Sequence, residues 1–140
     1  MNCNVLLLVE DNSDDVFIMR RALRKAGVDS LLFVASDGKE ALDYLRGAPP
    51  FEDRSRFPLP SLVFLDLKLP FLSGFEVLEW IRQQPQFQNL EVVILTSSGE
   101  ERDRRRPQQL GIRAYLVKPP RPDDVRQVIG DLLREEPARA

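Results

Sequence analysis

Five side chains with useful chemistry each stand at the end of a short apolar run, although they lie far apart in the chain. They are two adjacent acids, a third acid, a hydroxyl and an amine: Glu10, Asp11, Asp66, Thr96 and Lys118. Carboxylates bind hard cations such as Mg²⁺, whereas hydroxyl and ammonium groups bind the oxygens of phosphoryl groups. If folding brings these residues together, they predict a combined metal and phosphate site.

The elements that must bring them together are short strands. Apolar runs cover residues 5–9, 31–35, 62–65, 92–95 and 114–117, and each is short enough to be a buried parallel strand. Their alternation with helical patterns predicts an α/β fold, a flavodoxin-like doubly wound five-stranded parallel sheet with strand order 2-1-3-4-5. Ligands of such sheets bind outside the carboxyl ends of the strands, where all five residues are expected to meet.

Capping residues mark where the helices start and stop. Ser13 is predicted to cap the first helix, and Gly27 to end it. Reciprocal capping boxes are predicted to open two further helices: Asp37 with Glu40, and Ser73 with Glu76. A last helix is predicted to begin at Pro122.

Two segments do not fit regular structure. Residues 47–61 contain four prolines and are predicted to form a long ordered loop. Residues 99–109 occupy the place of a fourth helix, yet they contain no apolar side chain and include Pro107. Because a helix without an apolar stripe packs poorly, the fourth helix is predicted to be short, irregular or mobile.

Composition narrows the class of protein. The chain is expected to be a single domain over residues 1–140, with a core over about 4–134 and a tail at 135–140. A net charge of -2 favours neither a nucleic-acid binder nor a membrane-surface protein. One cysteine excludes an internal disulfide, and no export signal or membrane-spanning stretch is visible, so a cytoplasmic location is expected.

Four segments together resemble the receiver domain of two-component response regulators. They are Val-Glu-Asp-Asn at 9–12, Leu-Val-Phe-Leu-Asp-Leu-Lys-Leu-Pro at 62–70, Leu-Thr-Ser at 95–97 and Tyr-Leu-Val-Lys-Pro at 115–119. Each is weak alone, but four in this order at strand ends are specific, and the resemblance covers nearly the whole chain. It implies a signalling phosphoacceptor that catalyses only its own phosphotransfer and dephosphorylation, not an enzyme.

The resemblance also implies how the site is divided into roles. Asp66 would take a phosphoryl group from a histidine kinase, and Lys118 would bind one of the phosphoryl oxygens. Mg²⁺ would be held by Glu10, Asp11, Asp66 and the backbone carbonyl of Lys68. Since the chain contains no histidine, any phosphohistidine donor must belong to another protein.

Two more residues are implied to relay the signal. Thr96 would move to hydrogen-bond the new phosphoryl group, and Tyr115 would turn inward when Thr96 moves. Lys118 and Pro119 resemble the Lys-Pro pair of the family, which is usually joined by a cis peptide bond. Such a relay is expected to act through protein contacts or dimerisation, with coupling of about 1 to 3 kcal/mol.

The proline-containing loop, the Glu-Asp pair and the bare C-terminus are similar to the small response regulators that pair with bacterial phytochromes. This similarity implies a bacteriophytochrome as the histidine kinase and a possible homodimer as the signalling form. Too few residues follow the last predicted helix to form a helix-turn-helix domain, so DNA binding by this chain is not expected.

Three other functions remain as alternatives. A receiver-like interaction module that is never phosphorylated would keep the fold without the chemistry. A phosphatase with an aspartate nucleophile is disfavoured, because such enzymes carry a second Asp where this chain has Lys68. A nucleotide-binding enzyme is disfavoured because the seven glycines form neither of the glycine-rich phosphate-binding motifs.

Overall fold

Five parallel strands form one sheet in the computed structural model of the protein, which describes residues 5–97 and 109–139. The strands are β1 (Val5–Val9), β2 (Leu31–Ala35), β3 (Leu62–Asp66), β4 (Glu91–Thr96) and β5 (Ala114–Val117). Their order across the sheet is β2-β1-β3-β4-β5, so the predicted flavodoxin-like order is confirmed. β3 and β4 are slightly longer than predicted and include Asp66 and Thr96 themselves.

The register of the sheet brings the strand ends to one edge. Val9 pairs with Leu65, and Asp66 pairs with Leu95 on the next strand. β4 and β5 stay paired up to the last residue of each. Polar residues at these ends therefore share one edge of the sheet.

The sheet is covered on both faces, as a doubly wound fold requires. The helices are α1 (Ser13–Lys25), α2 (Gly38–Arg46), α3 (Gly74–Gln83) and α4 (Pro122–Arg139), with a short 3₁₀ turn at Pro85–Phe87. One buried cluster packs α1 and α4 against the sheet, and a second packs α2 and α3 against the opposite face. The central strands β1 and β3 are consequently buried along their whole length.

The start of α1 corrects one prediction. Asn12, not Ser13, is the N-cap, and its side-chain oxygen accepts hydrogen bonds from the backbone amides of Asp14 and Asp15. Ser13 is already the first helical residue. Gly27 follows the helix with a φ of 77°, in agreement with its predicted place at the end.

The capping-box predictions are confirmed for α3 and half confirmed for α2. Ser73 and Glu76 cap each other reciprocally at the start of α3. At α2 the Asp37 side chain accepts from the Glu40 amide, but the Glu40 carboxylate accepts from the amide of Ser36 instead of Asp37. The backbone amide that donates to the Glu40 side chain therefore lies one residue earlier than predicted.

The last helix extends into the segment predicted from the sequence as a tail. α4 continues to Arg139, so the segment predicted as a tail at 135–140 is helical over most of its length. Arginine and glutamate are good helix formers, and no glycine follows Leu133 to end the helix. The apolar pattern of the sequence marked this helix only as far as Leu133.

The proline-containing loop at 47–61 is ordered without helix or strand, as predicted. The Arg54 guanidinium donates hydrogen bonds to the carbonyls of Tyr44, Leu45 and Phe57. The Tyr44 hydroxyl donates to the Pro58 carbonyl at 2.7 Å. These contacts fasten the loop to the end of α2.

The segment at 99–109, where an irregular fourth helix is predicted, lies outside the described residues except for Gln109. That prediction therefore stays a prediction. Within residues 5–97 and 109–139, no helix combines the length and the apolar character needed to cross a membrane.

Candidate functional site

Backbone hydrogen bonds extend the parallel pairing just past the strand ends. The Glu10 amide donates to the Ala35 carbonyl at 3.0 Å, and the Lys118 amide donates to the Thr96 carbonyl at 2.9 Å. The Leu67 amide donates to the Leu95 carbonyl at 3.3 Å. The backbone at Glu10, Leu67 and Lys118 is therefore held by the sheet.

The ammonium group of Lys118 lies at the centre of the site. Its Nζ is 2.6 Å from Glu10 Oε1, 2.8 Å from Asp66 Oδ2 and 3.0 Å from Asp15 Oδ2. The Glu10 and Asp66 side chains are almost fully buried, and the Lys118 side chain is only 16% exposed. One buried cation thus holds three carboxylates together.

Burial and the contacts with Lys118 shift the pKa values of the site residues. Burial raises the pKa of Glu10 from 4.5 to about 7, and the nearby charge of Asp66 adds to the rise although the Lys118 contact opposes it. Burial alone would lower the pKa of Lys118, but its bonds to Asp66, Glu10 and Asp15 outweigh burial and raise that pKa. Lys118 is therefore charged, and in the part of the chain that the structure describes its positive charge faces the carboxylates of Glu10, Asp15 and Asp66.

Three of the acids form a cluster that suits a divalent cation. Carboxylate oxygens of Glu10, Asp11 and Asp66 all lie within 4.8 Å of one another. Such oxygens are the hard ligands that Mg²⁺, Mn²⁺ and Ca²⁺ prefer, and the excess of buried negative charge favours a cation. The residues present therefore fit a divalent metal ion. The Glu10, Asp11 and Asp66 grouping predicted from the sequence is found.

Lys68 contributes through its backbone. Its amide donates to Asp66 Oδ1 at 3.0 Å, and its side chain is exposed. Asp66 therefore has one carboxylate oxygen bound by a backbone N–H and the other by Lys118. The role predicted for the Lys68 carbonyl as a metal ligand stays a prediction.

Thr96 and Tyr115 lie where a relay from the site could start. Thr96 is buried, and its hydroxyl donates to the Ser97 carbonyl at 3.2 Å. Tyr115 pairs with Ile94, two residues before Thr96, and alternate residues of a strand share a face. Half-buried Tyr115 packs against the cluster beneath that face. The Lys118-Pro119 peptide bond is cis, as the family resemblance implied.

One site residue was missed from the sequence. Asp15, in the first turn of α1, contributes the third carboxylate on Lys118. The available signal was that Asp15 lies four residues after Asp11, about one helical turn along an element that begins beside the site.

Gly74 positions α3 against the phosphoacceptor candidate. A Cβ at Gly74 would lie 2.3 Å from the Asp66 carbonyl oxygen and 2.7 Å from the Leu67 Cα. Its amide donates to the Leu67 carbonyl at 3.1 Å. Only glycine lets the start of α3 approach the end of β3 this closely.

The loop between them contains a strained turn. The Leu72 amide donates to the Pro70 carbonyl at 2.7 Å, which closes a γ-turn, and the central Phe71 has a φ of 66°. Phe71 is 98% exposed, so few contacts compensate for this conformation. The strain lies five residues from Asp66.

We expect Phe71→Asn to raise the free energy of unfolding by about 0.5 to 1 kcal/mol, because asparagine tolerates positive φ better than phenylalanine. Urea denaturation measures the change. Phe17→Asn is the matched control, because Phe17 is also exposed but lies inside α1. If Phe71→Asn is no more stable than the wild type, the turn is not strained.

Comparison with known proteins identifies the family. The sequence model of the response regulator receiver domain family matches residues 6–130, which is most of the chain. The protein therefore belongs to the response regulator receiver domain family. The chain is a signalling domain of two-component systems, a family in which a phosphoacceptor role is standard and whose members interact with histidine kinases.

Its relatives include regulators associated with phytochromes. The response regulator Rcp1 of Synechocystis sp. is 36% identical over 81% of this chain and 76% of its own length. The structure of the bacteriophytochrome response regulator AtBRR is 40% identical, covers 92% of this chain and 91% of its own, and gives a TM-score of 0.80. A Mn²⁺-bound structure of Rcp1 is 34% identical over 91% and 90% of the two chains, with a TM-score of 0.76.

Proposed function

We propose that Asp66 accepts a phosphoryl group from a phosphohistidine. The observation that carries this proposal is the position of Lys118, whose Nζ lies 2.8 Å from Asp66 Oδ2 beside a cluster of metal-binding carboxylates. An Asp66 oxygen would attack phosphorus in line with the departing imidazole nitrogen. The new bond joins Asp66 oxygen to phosphorus, the nitrogen–phosphorus bond breaks, and the electron pair stays with the imidazole.

The residues around Asp66 support each requirement of this step. The Lys68 amide and Lys118 orient the carboxylate, and Lys118 supplies positive charge for a phosphoryl oxygen. Mg²⁺, held by Glu10, Asp11, Asp66 and the Lys68 carbonyl, would neutralise further charge on the phosphoryl group. The chain would catalyse its own phosphotransfer and, with water, its own dephosphorylation.

Signalling would follow from the added charge at Asp66. Thr96 would leave the Ser97 carbonyl to donate to a phosphoryl oxygen, and Tyr115 would turn inward on the same face of the sheet. The surface formed by β5 and its neighbours would then change its affinity for a partner. A second copy of the chain is one such partner, which makes the proposed output a homodimer.

The donor is proposed to be a histidine kinase of the bacteriophytochrome type in the cytoplasm. Support comes from the likeness to AtBRR and Rcp1 and from the absence of histidine in this chain. The phosphohistidine is therefore proposed to lie outside these 140 residues. No DNA-binding domain is found among the described residues, in keeping with an output through protein contacts.

Phosphotransfer from purified kinases tests the choice of donor. Each histidine kinase of the source organism, bacteriophytochromes included, is phosphorylated with labelled ATP and mixed with the protein. We expect one kinase to transfer its label within seconds to the wild type and not to Asp66→Asn. If no kinase transfers label, the phosphorelay function is wrong, and an interaction module that is never phosphorylated becomes the better account.

A further inference from the structure

Carboxylates surround the ammonium group that an incoming phosphoryl group would have to reach. Lys118 Nζ donates hydrogen bonds to Asp66 Oδ2 at 2.8 Å and to Asp15 Oδ2 at 3.0 Å, and Glu10 Oε1 lies 2.6 Å from it as an ion pair. A phosphoryl oxygen that binds Lys118 must therefore compete with these carboxylates. The rate of phosphorylation then depends on which carboxylate competes with the phosphoryl oxygen for Lys118.

Asp15 differs from the other two in its surroundings. Glu10 and Asp66 belong to the carboxylate cluster that fits a divalent cation, so a bound cation would compensate their charge. Asp15 lies outside that cluster as found among the described residues. Its side chain is 33% exposed, compared with 1% for Glu10 and 8% for Asp66. Of these three carboxylates, Asp15 is the one whose charge is compensated by Lys118 alone among the described residues and whose side chain can turn toward solvent.

We propose that Asp15 competes with the phosphoryl group for Lys118 and thereby slows the phosphorylation of Asp66. This inference rests on the proposed function. The negative charge of Asp15 also repels an anionic phosphodonor that approaches the same ammonium group. Asp15 is thus a positioning residue. It affects the binding of the phosphodonor more than the cleavage of the donor's bond to phosphorus.

The test uses acetyl phosphate with excess Mg²⁺ and follows the rate by intact mass. For Asp15→Asn we expect the second-order rate constant of phosphorylation to rise about five- to tenfold over wild type. The concentration of acetyl phosphate at half-saturation should fall, while the saturating rate changes little. Added salt should reduce the difference, because it screens exposed charges.

Two variants control for net charge and for structure. Asp14→Asn removes the same charge one residue earlier from an exposed side chain, and it should stay within about twofold of wild type. Asp15→Glu keeps the charge and should stay as slow as wild type. The proposal is wrong if Asp15→Asn is slower than wild type, or no faster than Asp14→Asn.

A measurement on metal-free protein keeps this inference separate from the proposed function. In NMR spectra of lysine-labelled protein, Asp15→Asn should speed hydrogen exchange of the Lys118 ammonium several-fold, and Asp14→Asn should not. Unchanged exchange would show that Asp15 does not hold Lys118. If wild type is not labelled at all, the proposed function fails and the inference with it. If wild type is labelled and Asp15→Asn is no faster, only the inference fails.

Discussion

Lys118→Met should lower the free energy of unfolding of the metal-free protein by about 3 kcal/mol at neutral pH. Among the described residues, Lys118 is the cation that contacts the Glu10, Asp15 and Asp66 carboxylates, and two of these are almost fully buried. Removing one partner of a buried ion pair costs this much because the remaining charges have no compensation. Urea denaturation in the presence of a chelator measures the loss.

Added Mg²⁺ should restore much of the stability of Lys118→Met. A divalent cation bound to the same acids supplies the missing positive charge, and a ligand that binds only the folded state stabilises it. Lys39→Met is the matched control, because Lys39 is 82% exposed and forms only a surface pair with Asp43. Equal stabilities for the two variants, or no extra effect of Mg²⁺ on Lys118→Met, would show that Lys118 does not balance the acids.

Glu10→Gln should have the opposite effect on the metal-free protein, stabilising it by about 2 kcal/mol at pH 8. The pKa of Glu10 is raised from 4.5 to about 7, so the folded state binds this proton more tightly than the unfolded state. The stability that comes from the protonated form is full below pH 4.5 and is lost as the pH rises through 7. Above pH 7 the wild type therefore carries an unfavourable buried charge that glutamine lacks.

Urea denaturation from pH 4 to pH 8.5 should show the advantage of Glu10→Gln shrinking as the pH falls and disappearing near pH 4.5. The same variant should bind Mg²⁺ about tenfold more weakly or worse, because a charged ligand is gone. Asp11→Asn is the comparison, because Asp11 is exposed and should lose metal affinity without this gain in stability. A Glu10→Gln advantage that does not vary with pH would contradict the account of Glu10.

Strand ends were the most predictable part of the site. Glu10, Asp11, Asp66, Thr96 and Lys118 were predicted from short apolar runs because the carboxyl ends of parallel strands share one edge. The register of the strands was not predicted and is known from the observed pairing. The cis peptide before Pro119 was implied by the family resemblance.

Features set by local helix geometry were less predictable. Ser13 and Asn12 are both good N-caps, and only the observed backbone shows that Asn12 takes the role. The contact between Asp15 and Lys118 was missed because it joins residues 103 positions apart, and Asp15 does not stand at the end of a strand. The strain at Phe71 was also missed, because phenylalanine is an uncommon residue at positive φ. The full length of α4 was not predicted, because the apolar pattern ends at Leu133 whereas the helix continues to Arg139.

The most direct test of the phosphoacceptor account is the intact mass of the protein after incubation with acetyl phosphate. The account predicts one phosphoryl group on the wild type with Mg²⁺, none when a chelator removes divalent metal, and none on Asp66→Asn. A phosphoryl group on Asp66→Asn, or equal labelling without divalent metal, would contradict it.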